Sequence, residues 1–247
     1  MDKEAIISNC KKLLYAYKHW LLGIQTMPED TSPVFKETET ELRIAYFTLP
    51  MSLNYQRNSY KLWEAALKTY NNQETKKVFD IKLCATMPEE LLRNYLIQYK
   101  IALQPNKHIK TWQTIAQTIF TKRGSFKKLF ETADYDFLEL KNMIQTDFKK
   151  DLPYISWPKI FNYRSFIIQK YGKIKLKNSE FISIAPDTHI TKCSIILWVI
   201  TETEANTLTK DSIAQKWLDI LKWSWINPID MHPPLWFWSR NNFQYTL

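Results

Sequence analysis

The sequence predicts an all-α fold. Two observations carry that expectation: apolar residues recur at helical spacing along the chain, and helix-start signals stand ahead of several of those runs. From Lys3 to Leu22, the residues Ile6, Ile7, Leu13, Leu14, Tyr17 and Leu21 share one face. Residues 27–42, with Pro28, Pro33 and several Thr and Glu, read as a loop or a short strand-bearing excursion. A helix follows at about 51–70. Met87-Pro88-Glu89-Glu90 then opens another through Leu103, with Leu92, Tyr95, Leu96 and Tyr99 on its apolar stripe. Further helices are expected at about 108–121, 125–131, 135–148, 158–171, 187–200 and 209–224. Between Asn227 and Arg240, Pro228, Pro233 and Pro234 argue against a regular helix running through the whole segment.

A chain of 247 residues can bury a sizeable core as one compact domain or as two small lobes. Hydrophobic residues make up 45% and charged residues 24%, with 10 Trp, 13 Tyr and 13 Phe, which is the composition of a packed globular protein. The net charge is +9, and its distribution is uneven. Residues 91–180 hold 17 Lys and Arg against 7 Asp and Glu, so the excess of positive charge lies in this one segment. Such a field suits a phosphate-binding face, and it also suits a lysine-rich solvated surface. Cys10, Cys84 and Cys193 are widely separated and odd in number, so no complete disulfide framework is expected and a reducing, intracellular setting is. Met1-Asp2-Lys3-Glu4 is followed only by brief apolar pairs, and Leu235-Trp236-Phe237-Trp238 is far too short to span a bilayer, so neither a signal peptide nor a membrane partner is expected. Four dispersed His, no Cys pair and no Gly-rich phosphate loop give little support to a metal or nucleotide site.

The stretch from Asp151 to Leu197 carries the strongest local signals. Leu152-Pro153-Tyr154-Ile155-Ser156-Trp157-Pro158-Lys159 is a proline-bounded turn in which Ser156 is a candidate N-cap and Pro158 occupies a first helical turn. Ala185-Pro186-Asp187-Thr188-His189 opens the next helix, with Asp187 as its cap. His189 reads as a structural hydrogen-bonder. Gly172 to Phe181, with Lys173, Lys175 and Lys177, reads as an inserted loop between the two.

In order and content this stretch resembles the signature of the helix-hairpin-helix DNA glycosylases. There the hairpin reads Leu-Pro-Gly-x-Gly, a helix opens with a Lys-Thr-Ala-Asn-like run, and a later Val-Asp-Thr-His opens a second helix. Lys159-Ile160-Phe161-Asn162 matches the first opening and Pro186-Asp187-Thr188-His189 the second. The likeness extends upstream: Ile101 to Lys107 followed by the Trp112, Ile115, Ala116, Ile119 helix resembles the Gly-Leu/Phe-x-x-x-Lys element, and Leu49-Pro50-Met51-Ser52-Leu53-Asn54-Tyr55-Gln56 the Leu-Ser-x-Gln helix. It covers about residues 45–200. The separation between Lys159 and Asp187 is longer than in endonuclease III and similar to that of the archaeal 8-oxoguanine glycosylases. The four-cysteine iron-sulfur loop of some members is absent. Tyr154 and Trp157 stand where the family has its hairpin glycines.

The resemblance implies a two-lobed helical enzyme with DNA in an interlobe cleft, residues 46–199 forming the central lobe and residues 1–45 with 200–247 the other. It implies a glycosylase and AP lyase acting as a monomer in the cytoplasm or nucleoid, without cofactor, on double-stranded DNA holding a damaged base, an oxidised purine such as 8-oxoguanine being favoured. Lys159 would be the nucleophile, made neutral by an apolar setting of Phe161, Tyr163 and Phe166, and Asp187 would stabilise positive charge on the sugar. Tyr154, Ser156, Trp157, Lys107, Lys173, Lys175 and Lys177 would contact DNA, and Gln56 or Asn54 would fill the gap left by the extruded base. Tyr163, Trp236 and Trp238 would line the base pocket. Two other readings stay open: a DNA-binding descendant that has lost its chemistry, and an RNA or nucleoside N-glycosidase using the same two residues.

Overall fold

The computed structural model describes residues 2–54 and 56–247. Its described residues form thirteen α-helices and no strand, with one isolated parallel bridge between Asp136 and Lys177. They group into two compact units: Met27–Asn178, and Ser179–Leu247 with the N-terminal residues through Thr26. Relative to the expected lobes, residues 27–45 fall in the continuous unit and residues 179–199 in the other. No helix among the described residues is long and apolar enough to cross a membrane.

In the discontinuous unit, helix α1 (Lys3–Lys18) buries Ile6, Cys10, Leu13 and Ala16, and ends before Trp20, whose φ is 59°.

The continuous unit begins with a 3-10 turn, Pro28–Asp30, tightened by the Met27 N–H donating to Asp30 Oδ2 at 2.7 Å. Helix α2 (Thr40–Leu53) buries every residue from Arg43 to Leu53, Pro50 included. The expected loop or strand at 27–42 is therefore a 3-10 turn, bends and a helix start. The expected single helix at 51–70 is the end of α2 and α3 (Ser59–Asn71), whose cap Asn58 accepts the Lys61 N–H at 3.1 Å. Tyr55, between them, lies outside the described residues.

Helix α4 (Ile81–Thr86) is capped by Asp80, and α5 (Glu89–Gln98) follows Pro88. Helix α6 (Pro105–Arg123) starts on proline and stops at Gly124, where φ is 81°. Helix α7 (Phe126–Thr132) is held twice at its start, by Ser125 and by the Glu41 carboxylate, which accepts the N–H groups of Phe126 and Lys127 at 2.8 and 2.7 Å. Asp136 caps α8 (Phe137–Asn142), which runs into a π-turn at Met143–Asp147.

Helix α9 (Pro158–Lys170) brings Arg164 into the core. The guanidinium donates to Thr48 Oγ1 at 3.0 Å and lies 5.5 and 5.7 Å from the ring centres of Phe126 and Phe130, so α9 is pinned against α2 and α7. Gly172 closes α9 because a Cβ there would run into the Ile168 carbonyl oxygen.

The discontinuous unit resumes with α10 (Thr188–Ile196), α11 (Glu202–Thr207), α12 (Lys210–Leu221) and α13 (His232–Arg240). Trp217 Nε1 donates to Ser194 Oγ at 2.8 Å and Cys193 Sγ to the Leu235 carbonyl at 3.0 Å, tying α12 and α13 to α10. The expectation that prolines exclude a helix here is corrected in part. Pro228 opens a 3-10 turn, and Pro233 and Pro234 fall in the first turn of α13, where a missing N–H leaves no intrahelical bond unmade.

Candidate functional site

The hairpin ahead of α9 is built from its own backbone. Ile155, Ser156 and Trp157 donate their N–H groups to the carbonyls of Pro153, Leu152 and Tyr154 at 2.8, 3.0 and 3.0 Å. Tyr154 sits in the left-handed region at φ 64°, the conformation that favours glycine, whereas Trp157 has an ordinary φ of −73°. Of these two aromatic residues, only Tyr154 holds an unfavourable backbone. Its ring is buried, 4.6 Å from the Trp157 ring centre and 5.2 Å beneath the Lys107 ammonium, while Trp157 is half exposed.

Ser156 does not cap α9. Its hydroxyl is buried and donates to the Lys149 carbonyl at 3.0 Å, and the N-cap position falls to Trp157, whose side chain makes no capping bond. The serine therefore closes the hairpin rather than starting the helix.

Lys107 and the hairpin come together. Between α6 and the hairpin lies an open groove of about 320 Å³ lined by Lys107, Lys110, Thr111, Thr114, Lys150 and Pro153. Sequence reasoning misses Lys110 and Lys150, since two lysines 40 positions apart give no sign of sharing a surface. Three ammonium groups beside a hairpin form a local positive potential that suits a phosphate.

After α9, exposed Lys173, Lys175 and Lys177 alternate with buried Ile174 and Leu176, Lys173 itself lying in the left-handed region at φ 54°. Lys177 is anchored at both levels: its backbone pairs with Tyr135 and Phe137, and its ammonium meets Asp134 Oδ2 at 2.6 Å. Lys173 and Lys175 are thus the more available charges of the three for an anion. Gln56 lies exposed in the loop between α2 and α3 with φ 49°, not on a helix face.

Lys159 is exposed on the first turn of α9, so the apolar enclosure expected to keep its amine neutral is not formed around it. Of the three aromatics expected around it, Phe161 and Phe166 are buried and Tyr163 is half-buried, one helical turn from the lysine and on the same face. The Tyr163 hydroxyl donates to Glu29 Oε1 at 3.1 Å. Glu29 is buried, and burial pushes its carboxyl up to about 7 against the smaller opposing pull of its hydrogen bonds. No local pattern in Met27-Pro28-Glu29-Asp30 announces that burial.

Asp187 belongs to the discontinuous unit and is a true N-cap: Oδ1 accepts the Ile190 N–H at 2.9 Å. One turn on, His189 bonds Ser239 Oγ at 3.0 Å, and its ring stands edge-on to Trp236 with centroids 5.5 Å apart. Burial holds the His189 pKa below the usual imidazole range, against Asp187, which raises it. Trp236 also lies under the Arg240 guanidinium at 5.0 Å. Asp187, His189 and Trp236 form one neighbourhood at the α10–α13 contact. Trp238 is buried against Phe243, its Nε1 donating to the Tyr245 carbonyl at 2.8 Å.

The three cysteines are buried and unbridged, and burial raises the Cys10 and Cys84 thiols to about 12, which removes them as nucleophiles at neutral pH. Among the described residues, no cluster of three or more His, Cys, Asp or Glu is placed to hold a metal ion. No protein-family model matches the chain, and no curated protein matches it.

Proposed function

We propose that the chain is a DNA N-glycosylase with AP lyase activity, of the helix-hairpin-helix kind, acting on a damaged base in duplex DNA, with an oxidised purine the favoured lesion. The observation that carries this reading is the hairpin itself: a closed turn with a left-handed residue, feeding a proline-led helix that bears Lys159 on its first turn, beside a groove lined by three lysines. Asp187, whose Oδ1 accepts the Ile190 N–H at the start of α10, supplies the carboxylate that the second role calls for opposite an oxocarbenium-like sugar.

In this mechanism the target nucleotide leaves the stack. The Lys159 amine, in its neutral form, bonds to C1′ as the bond from C1′ to the base breaks. The electron pair departs with the base, which takes up a proton. The nitrogen gives up a proton, its lone pair then forms the C1′=N bond as the C1′–O4′ bond breaks and O4′ takes up a proton, and loss of a C2′ proton from the resulting protonated imine expels the 3′ phosphate. The reading requires Lys159 and Asp187 to act on one deoxyribose. Borohydride trapping on a panel of lesion duplexes tests it, with Lys159→Gln and Asp187→Asn as the informative variants.

A second reading, a DNA-binding protein without chemistry, is favoured by one observation. Three hairpin N–H groups and the Ser156 hydroxyl are already bonded within the hairpin, so phosphate anchoring falls to the flanking lysines. A chain that binds lesion DNA but neither releases a base nor traps supports this second reading.

A further inference from the structure

The Pro28–Asp30 turn is fastened to helix α9 by two tyrosines. Tyr163 donates to Glu29 Oε1 at 3.1 Å, and Tyr171, two turns further on, donates to Asp30 Oδ1 at 2.8 Å. The two acids differ in surroundings. Glu29 is 1% exposed, and its second oxygen, Oε2, has no hydrogen-bond partner among the described residues. A buried carboxyl with half its bonding capacity unmet destabilises a fold, and groups of this kind concentrate where function demands them. Its one side-chain partner stands a single helical turn from Lys159, on the same face of α9.

We infer that Glu29 is a positioning residue for the chemistry of α9: by accepting the Tyr163 hydroxyl it fixes that ring on the helix face that carries the Lys159 amine. The inference rests on the assignment of Lys159 as nucleophile. The groups around Glu29 are Asp30 on its own turn, and Tyr163 and Lys170 on α9. Helix α3, which also packs against the turn, directs Lys61, Glu64 and Lys68 to solvent and keeps Tyr70 in the aromatic core. Because burial carries the Glu29 carboxyl to about 7, its charge changes across the neutral range. Ionised, it is a charge-assisted acceptor that holds Tyr163 firmly, and protonated, it is a weaker one. The held geometry is therefore the high-pH form, and base release should rise with pH through this titration.

The test has two arms. In the first, single-turnover base release from an oxidised-purine duplex is followed over roughly pH 5.5 to 9, a window bracketing the Glu29 titration, in the full chain, in Glu29→Gln and in Tyr163→Phe. The wild type should show a rising limb with its midpoint near the Glu29 value. Both variants should lose that limb and fall roughly tenfold below wild type at the plateau, and the double variant should fall no further than either single one. Retention of the limb in both variants overturns the inference. In the second arm, tyrosine labelled with ¹³C at Cζ is read by NMR without DNA. The resonance lost in Tyr163→Phe should titrate near neutrality in the wild type and stay flat in Glu29→Gln. A flat wild-type resonance overturns the pairing itself. If the resonance titrates but the wild type releases no base, the glycosylase reading fails and the positioning role in chemistry fails with it. If base release persists with Lys159→Gln, the nucleophile assignment fails and the positioning role built on it fails with it, while the tyrosine resonance still reports whether Glu29 and Tyr163 are paired.

Discussion

Tyr154 holds a conformation that glycine adopts freely, and an L-residue there is disfavoured by about 1–2 kcal/mol. Burial of its ring against Trp157 offsets this by roughly 1.5–3 kcal/mol. Tyr154→Gly should therefore destabilise the protein only modestly, by about 1–2 kcal/mol in urea unfolding once the added backbone entropy of glycine is included. A loss above about 4 kcal/mol would mean that the ring contributes much more than its burial. Glu29 makes a prediction of opposite character. Its folded pKa is raised from 4.5 to about 7, so folding favours the protonated form. Stability from this group is complete below pH 4.5 and is lost as pH rises to about 7, by about 3 kcal/mol at most. His108 acts in the other direction. Buried, accepting the Leu103 N–H and lowered to about 4, it stabilises the fold above pH 6.5 and loses that contribution as pH falls. Denaturation of Glu29→Gln over roughly pH 5 to 8 should show stability holding or rising with pH, where the wild type's gain from His108 is offset. Parallel pH curves for the two proteins would contradict the assignment.

The helix starts legible in the sequence are those whose signal is local. Pro158 opens α9 and Asp187 caps α10 through chemistry that reaches no more than a few residues. Helix α2 is partly hidden because it is buried on nearly every side, which removes the amphipathic period, and because Pro50 lies within it. Helix α13 is hidden because two consecutive prolines read as breakers unless the helix begins just ahead of them. Glu29 is invisible because its partner is 134 positions away. The segment after α9 reads as a loop in sequence and is one, and the alternation of exposure along it puts three lysines at exposed positions. Charge reversal of Lys173 and Lys175 should weaken duplex binding and reduce the salt slope by about 0.9 for each phosphate no longer neutralised. Reversal of Lys177, already paired with Asp134, should weaken binding less, and reversal of Lys11 and Lys12 on α1 should hardly matter. Equal effects in titrations at several salt concentrations would show a general solvated surface instead.

For the molecule as a whole, the all-helical class and the core role of its aromatics are readable because they are summed over many positions. The division into a continuous and a discontinuous unit depends on which distant segments pack together, which no local pattern reports. The proposed chemistry turns on attack of Lys159 on deoxyribose. Borohydride trapping of the full chain on an oxidised-purine duplex tests it most directly, because only an imine intermediate is captured as a covalent adduct. An adduct is expected with the wild type, none with Lys159→Gln at unchanged duplex affinity, and severely slowed formation with Asp187→Asn, which preserves a possible helix cap but removes the carboxylate. Full trapping by a folded Lys159→Gln protein would contradict it.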